Sequence, residues 1–373
     1  MSRDRFTDAA VKLLGEAGIT VNGENPWDIQ VHHPNFFRRV FREGSLGLGE
    51  SYMDGWWDSP RLDEFFTRLL RARLDEKIKH DVRLLSEALL ARLFNRQSRR
   101  RAFIIGQRHY DLGNELFRNM LDKGMNYSCG YWKNAAHLDA AQENKLDLIC
   151  RKLELQPGMR VLDIGCGWGG FARFAAQRYC VEVVGITVSR EQQELGSELS
   201  KGLPVEIRLQ DYRDLDEKFD RVVSIGMFEH VGYKNYRTYM EVVYRCLPDG
   251  GLFLLHTIGG NRSVKSTNPW TNKYIFPNSM LPSIAQIGRA IEGLLVMEDW
   301  HNFGTDYDKT LMAWHENFER NWDRIKHLYD KRFYRMWRYF LLSSAGGFRS
   351  RSIQLWQVVL SKNGLPGGYQ SLR

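Results

Sequence analysis

The residues with the plainest chemical potential in this chain lie around a glycine loop. The run VLDIGCGWGG sets Asp163, Gly165, Gly167 and Gly169 at the carboxyl end of a short apolar strand pattern, and a helical pattern opens just after it. Glycines there permit a tight turn and let a ligand approach the backbone closely. The spacing GCGWGG can be forced into the dinucleotide pattern GxGxxG. However, the second strand ends on Thr187, in GITVSREQ, and not on the carboxylate that would take a ribose. Glu229 and His230 are adjacent in GMFEHVG and could form an acid–base pair. Cys129 and His256 stand alone, and solitary residues of these types are more often structural than reactive. The five cysteines, Cys129, Cys150, Cys166, Cys180 and Cys246, form no CxxC pair. That argues against a disulfide framework or a zinc ribbon and for a reduced, cytosolic protein.

Elements of regular structure must bring such groups together. From residue 109 onward, β-branched runs recur at 159–165, 181–187, 205–209, 219–226 and 250–258, and helical stretches such as GFARFAAQRY and SREQQELGSELSKG separate the early ones. This alternation predicts parallel strands with crossover helices, an α/β sheet. IQLWQVVLSK at 353–362 predicts a further strand. Residues 1–95 read as a separate helical module, with the glycine-rich stretch 43–57 as a turn between helices, and the basic segment 96–108 as its connection to a domain over 109–373. A length of 373 residues suits two domains. Within this scheme, an acidic strand residue followed at once by GxGxG is the pattern of S-adenosylmethionine-dependent methyltransferases. QDYRD at 210–214 then falls after the third strand, where such enzymes contact adenine.

Charge narrows the partner. The net charge is +8, yet residues 61–108 hold 13 Lys/Arg against 6 Asp/Glu and residues 320–351 hold 9 against 2. Two concentrated basic stretches point to an anionic surface, either nucleic acid or an anionic bilayer. Apolar residues recur every three or four positions from Leu62 to Leu93 with Arg and Lys between them, which suits docking on a membrane face as well as packing on the protein's own core. No run is long and apolar enough for a spanning helix, and the first residues lack the apolar core of a secretory signal.

Nearly the whole chain resembles the bacterial cyclopropane-fatty-acyl-phospholipid synthases, which are related to the mycolic acid cyclopropane synthases. The segments that carry the resemblance are GSLGLGESYMDGWW, HYDLGNELF, NYSCGYW, VLDIGCGWGG, GITVSREQ, GMFEHVG, LLHTIG, KYIFPN and DWHNFGTDYDKTLMAW. It implies a Rossmann-like class I methyltransferase sheet with a smaller helical N-terminal domain that associates with lipid. It also implies transfer of the methyl of S-adenosylmethionine to a cis double bond of a phospholipid acyl chain, followed by proton loss and ring closure. An alkene is a weak nucleophile and its cation is quenched by water, so such a site must align the reactants and stay dry.

The resemblance further implies bicarbonate as the base, held by Cys129, Glu229, His256, Ile258 and Tyr307. The methyl donor is implied to lie against Tyr127, Ser128, Asp163, Gly165, Cys166, Gly167 and the run from Thr187 to Gln192, with Asp211, Tyr212 and Ile225 at the adenine. The segment 261–299 reads as a cover over the acyl site or, equally, as a structural insertion. The expected partners are an unsaturated phospholipid and the anionic inner leaflet, with no nucleic acid, and a homodimer through the leading module. The expected location is cytoplasmic, peripheral to the inner membrane. A methyl-branching lipid methyltransferase and a small-molecule methyltransferase remain as alternatives.

Overall fold

The structure, a computed structural model, describes residues 5–74 and 113–373. The basic segment 96–108, Arg99 to Arg101 within it, and the apolar positions from Ile78 to Leu93 lie outside the described residues. The described chain forms two compact units, neither of them continuous in sequence. The helical unit draws on the first residues and also on 266–277 and 307–353, while the sheet unit draws on residues up to 265, on 278–306 and on 354–373.

The helical unit opens with α1 (Arg5–Glu16) and holds a short antiparallel pair, β1 (Gln30–Val31) and β2 (Trp57–Asp58). In the sheet unit, β3 (Arg160–Ile164), β4 (Glu182–Thr187), β5 (Val205–Leu209), β6 (Arg221–Ile225), β7 (Leu252–Gly260), β8 (Val296–Asn302) and β9 (Ile353–Ser361) form one sheet in the order β5-β4-β3-β6-β7-β9-β8. The strands from β5 to β7 pair in parallel, and β8 pairs antiparallel with β9. All six strand patterns expected from sequence are present. β8 is the addition, and its sequence VMEDWHN carries too many polar residues to announce a strand. Strand order reverses between β3 and β6, and ligands of such sheets bind at the carboxyl ends beside that point.

Both faces of the sheet are covered, which explains the continuous apolar runs. Leu162, Ile164, Val222, Phe253 and Leu255 pack on one side; Val161, Val223, Leu252 and Leu254 pack on the other. This second side also receives Leu146, Ile149 and Cys150 of one helix, Leu138–Lys152, and Phe171, Ala172 and Ala175 of another, Gly170–Tyr179. Strand side chains alternate, so Asp163 and His256 face the same side as Val161 and Leu254. The segment 261–299 is divided between the units. From Met280 onward it is built into the sheet core, where Met280, Ile287, Ala290, Ile291 and Leu295 are buried.

In the helical unit, α2 (Phe36–Met53) corrects the expected turn over 43–57. Only Gly44 leaves helical geometry, at φ 58°, and the helix then runs on to Met53. The glycines beyond it serve close packing. A Cβ at Gly49 would overlap the Trp270 ring, and one at Gly47 would come within 2.7 Å of the Arg39 carbonyl oxygen. Much of the second basic stretch lies on the helix Lys331–Arg349, whose four arginines are paired with acids. Arg332 pairs with Asp54, Arg335 with Asp58, Arg338 with Glu319, and Arg349 with Asp63 and Asp308. Among the described residues, no helix is long and apolar enough to cross a membrane.

Candidate active site

The glycine loop leaves β3 at Gly165 and enters the helix Gly170–Tyr179. Gly165, Gly167 and Gly169 have φ of 84°, 55° and 77°, which side-chain-bearing residues rarely adopt. The Ile186 carbonyl of β4 accepts the N–H groups of both Gly165 and Cys166 at 3.0 Å, fixing the loop to its neighbouring strand. A Cβ at Gly165 would meet Met227 at 2.6 Å, whereas at Gly167 it would find nothing within 4 Å. The loop is thus tight on one side and open at Gly167.

Asp163 is 1% exposed, and among the described residues neither carboxylate oxygen has a hydrogen-bond partner. Burial draws its carboxyl up to about 7, and nearby Lys145 works against that rise. A buried carboxylate with two free oxygens beside an open glycine loop suits a cationic ligand, and the donor carries both a sulfonium and an ammonium.

The remaining positions expected at the donor lie in the sheet unit. Thr187 Oγ1 donates to Gln192 Oε1 at 2.8 Å, which ties the end of β4 to the helix Arg190–Leu199. Asp211 caps the turn Tyr212–Asp214, its carboxylate accepting the Arg213 N–H at 3.0 Å and the Arg213 guanidinium at 2.8 Å. Tyr212 is buried edge-on against Tyr239, with ring centroids 5.1 Å apart. Tyr127 packs on Phe117 in the loop leading to the buried Ser128 and Cys129. The Ser128 carbonyl accepts from Gln142 at 2.8 Å, its hydroxyl accepts from Lys145 at 3.0 Å, and the Cys129 thiol donates to the Gly130 carbonyl at 3.1 Å.

Of the expected anion set, Glu229 and Ile258 are in contact, and His256 lies two residues before Ile258 on β7. Ile225 and His256 are register partners across β6 and β7. Glu229, in the short turn Phe228–His230, accepts the Ile258 N–H on Oε1 at 2.7 Å, while Oε2 has no hydrogen-bond partner. The Ile258 N–H is therefore engaged by Glu229. Burial draws the Glu229 carboxyl up to about 7, opposed by the Ile258 N–H. His256 is 1% exposed, with Nδ1 3.4 Å from Gln357 Nε2 and no partner at Nε2. Burial, with the charges of Lys145 and Lys152, holds its pKa well below the usual histidine range, so the imidazole is neutral. Glu229 Oε2 and His256 Nε2 are thus two buried polar atoms, a carboxyl oxygen and a neutral ring nitrogen, without a hydrogen-bond partner among the described residues. Tyr307 belongs to the helical unit, where its ring lies 4.5 Å from Phe348 and 5.9 Å from Trp314.

Among the buried polar residues that sequence reasoning missed are Gln142, Lys145, Lys152 and Gln357. A signal existed for the lysines, because both occupy positions of the inward stripe of Leu138–Lys152 that also holds Leu138, Ala141, Leu148 and Ile149.

Comparison with known proteins bears on the family of the chain. A family model described as mycolic acid cyclopropane synthetase matches residues 97–358. The chain is 57% identical over 365 residues to a cyclopropane-fatty-acyl-phospholipid synthase of Escherichia coli, spanning 97% of this chain and 96% of that one. It is 34% identical over 394 residues to a tuberculostearic acid methyltransferase of Mycobacterium tuberculosis, spanning 98% and 90%. A crystal structure of a mycolic acid cyclopropane synthase complexed with SAH superposes with a TM-score of 0.65 at 33% identity, covering 70% of this chain and 98% of that one.

Proposed function

Because the chain belongs to the mycolic acid cyclopropane synthetase family, we propose that its donor loop and its buried Glu229–His256 group serve one reaction. The chain is an S-adenosylmethionine-dependent methyltransferase that acts as a cyclopropane-fatty-acyl-phospholipid synthase. S-adenosylmethionine supplies an electrophilic methyl group, so that methyl addition to a cis double bond and loss of one proton convert the alkene to a ring one CH2 larger.

Asp163, Gly165, Cys166 and Gly167 would hold the methionine part of the donor, with Tyr127, Ser128 and the run Thr187–Gln192 around it and Asp211, Tyr212 and Ile225 at the adenine. Open space at Gly167 and the unpartnered Asp163 carboxylate support this placement. Glu229 and His256 would orient a bicarbonate ion that takes the proton, together with the Cys129 backbone. The Ile258 N–H would fix Glu229, since it already donates to that carboxylate. Tyr307 would complete the set through its hydroxyl. A neutral His256 keeps one ring nitrogen as donor and the other as acceptor, so it can steady a hydrogen-bonded anion. Dryness prevents capture of the cation by water.

The single observation that carries the anion is the pair of buried, unpartnered atoms Glu229 Oε2 and His256 Nε2. Turnover in carbon-dioxide-stripped buffer tests it. The rate should fall and return when bicarbonate is added, and a rate indifferent to bicarbonate would contradict it.

Substrate access would use reversible docking on an anionic inner leaflet. The arginines of Lys331–Arg349 are paired with acids of their own unit, so the cationic contribution falls to residues 61–108 and their apolar pattern. Pairing of two copies through the leading module belongs to the same proposal and rests on the resemblance alone.

A further inference from the structure

Two lysines lie where lysine is rarely found. Lys145 and Lys152 are 1% and 0% exposed and stand seven residues apart on the helix Leu138–Lys152, hence on one face of it. A buried cation is retained only with partners, and the proposed reaction uses neither residue. Lys152 has a separate set: its ammonium lies 3.1 Å from His301 Nδ1 and 3.6 Å from Asp299, which the Arg373 guanidinium also binds. Lys145 donates to Ser128 Oγ at 3.0 Å. Asp122 and Cys129 in the loops before it and Asp163 on β3 act electrostatically on its ammonium, and its own charge acts on His256 on β7. Asp163 in turn is faced by Lys145, Cys166 and Tyr239, of which only Lys145 is cationic.

We propose that Lys145 is a positioning residue for the methyl donor: its ammonium fixes Ser128 and the Tyr127–Cys129 segment, and it is the counter-charge that keeps Asp163 a carboxylate. This rests on the donor site proposed above and on no step of ring closure. The reason is electrostatic. Burial alone favours the protonated acid at Asp163, and a neutral carboxyl would offer a sulfonium and an ammonium far less. Lys145 opposes that burial, and its own ammonium is drawn down to about 8 by the same low-dielectric surroundings.

Calorimetric affinity for S-adenosylmethionine across pH, measured on the full chain, tests the proposal. Lys145→Met should bind about threefold more weakly near pH 7.5 and about tenfold more weakly near pH 6, the factors a one-unit rise at Asp163 imposes there, and should recover toward wild type near pH 9. Lys152→Met, equally buried on the same helix, should leave both affinity and its pH dependence unchanged. Ser128→Ala, which keeps the charge, should weaken binding at every pH without moving the midpoint. An equal loss at every pH in Lys145→Met would overturn the counter-charge, and wild-type affinity in that variant would overturn the role altogether.

Should Lys145→Met not fold, the wild-type chain decides. Donor binding near pH 6, measured in buffers of different ionisation heat, should release about one proton as Asp163 ionises, and no release there would overturn the proposal. No lipid product is read, so such failures leave methyl transfer standing. A wild-type chain that binds no donor would instead sink the donor site itself.

Discussion

Glu229→Gln separates catalysis from folding, because the two respond in opposite directions. In the wild-type chain Oε1 accepts the Ile258 N–H at 2.7 Å and Oε2 has no hydrogen-bond partner. Glutamine keeps an acceptor for Ile258 and turns the other atom into an amide nitrogen that can only donate. The acceptor and proton site toward the anion is lost while the local fold is kept. Removing one preorganised group of this kind costs about 2–4 kcal/mol in the transition state, or roughly thirty- to a thousandfold in rate. Stability moves the other way. The folded pKa of Glu229 is raised from 4.5 to about 7 by burial, so its contribution is fully present below the unfolded value and is lost as pH rises through 7. Glutamine never ionises, so the variant escapes that loss, worth about 3 kcal/mol for a shift of this size. Three measurements settle it: cyclopropanation of unsaturated vesicles, calorimetry with S-adenosylmethionine, and thermal melting near pH 5 and pH 8. Expected are a crippled rate, nearly unchanged donor affinity, and a melting point above wild type near pH 8 but close to it near pH 5. Lost donor affinity would put Glu229 in the wrong pocket, and an undiminished rate would remove it from the chemistry.

Gly167→Val should abolish donor binding in a folded chain, since it fills the open side of the loop and strains a backbone held at φ 55°; normal affinity by calorimetry would take the loop out of the site. In the helical unit, burial pushes the Asp63 carboxyl up, but Arg61 and Arg349 outweigh it and hold it at about 2. Its stabilisation is therefore present above the ordinary value of 3.8 and lost as pH falls through 2. Arg349→Met should destabilise the fold by about 2 kcal/mol at neutral pH, and denaturant curves should show the difference shrinking toward pH 2. Replacing Arg99, Arg100 and Arg101 together by Ser should reduce sedimentation with phosphatidylglycerol vesicles relative to zwitterionic ones and leave donor binding unchanged. Equal, salt-insensitive binding to both vesicle types by the wild-type chain would refute electrostatic docking.

The sheet was legible wherever burial on both faces wrote an apolar run, as at RVLDI and RVVSI, and the glycine loop because its backbone demands glycine. β8 was not, since an antiparallel edge strand tolerates Glu298, Asp299 and His301. The helix through Gly47 and Gly49 looked like a turn because helix propensity disfavours glycine, and the reason for it, the approach of Trp270, lies more than two hundred residues away. Lys145 and Lys152 were invisible for a related reason. A lysine on an inward stripe is normally displaced to solvent, and only the placement of Ser128, Asp163, Asp299 and His301 opposite them makes their burial tolerable. The pairing of Arg332, Arg335, Arg338 and Arg349 with distant acids likewise escaped a count of local charge.

The most direct measurement is mass spectrometry of phospholipids from cells expressing the chain, with double bonds located by chemical cleavage. Expected is a gain of one CH2 per unsaturated chain together with loss of the double bond, absent in Glu229→Gln. A CH2 gain with the double bond retained would mean methyl branching in place of ring closure. Unchanged lipids in the presence of folded, donor-binding protein would contradict a phospholipid cyclopropane synthase outright.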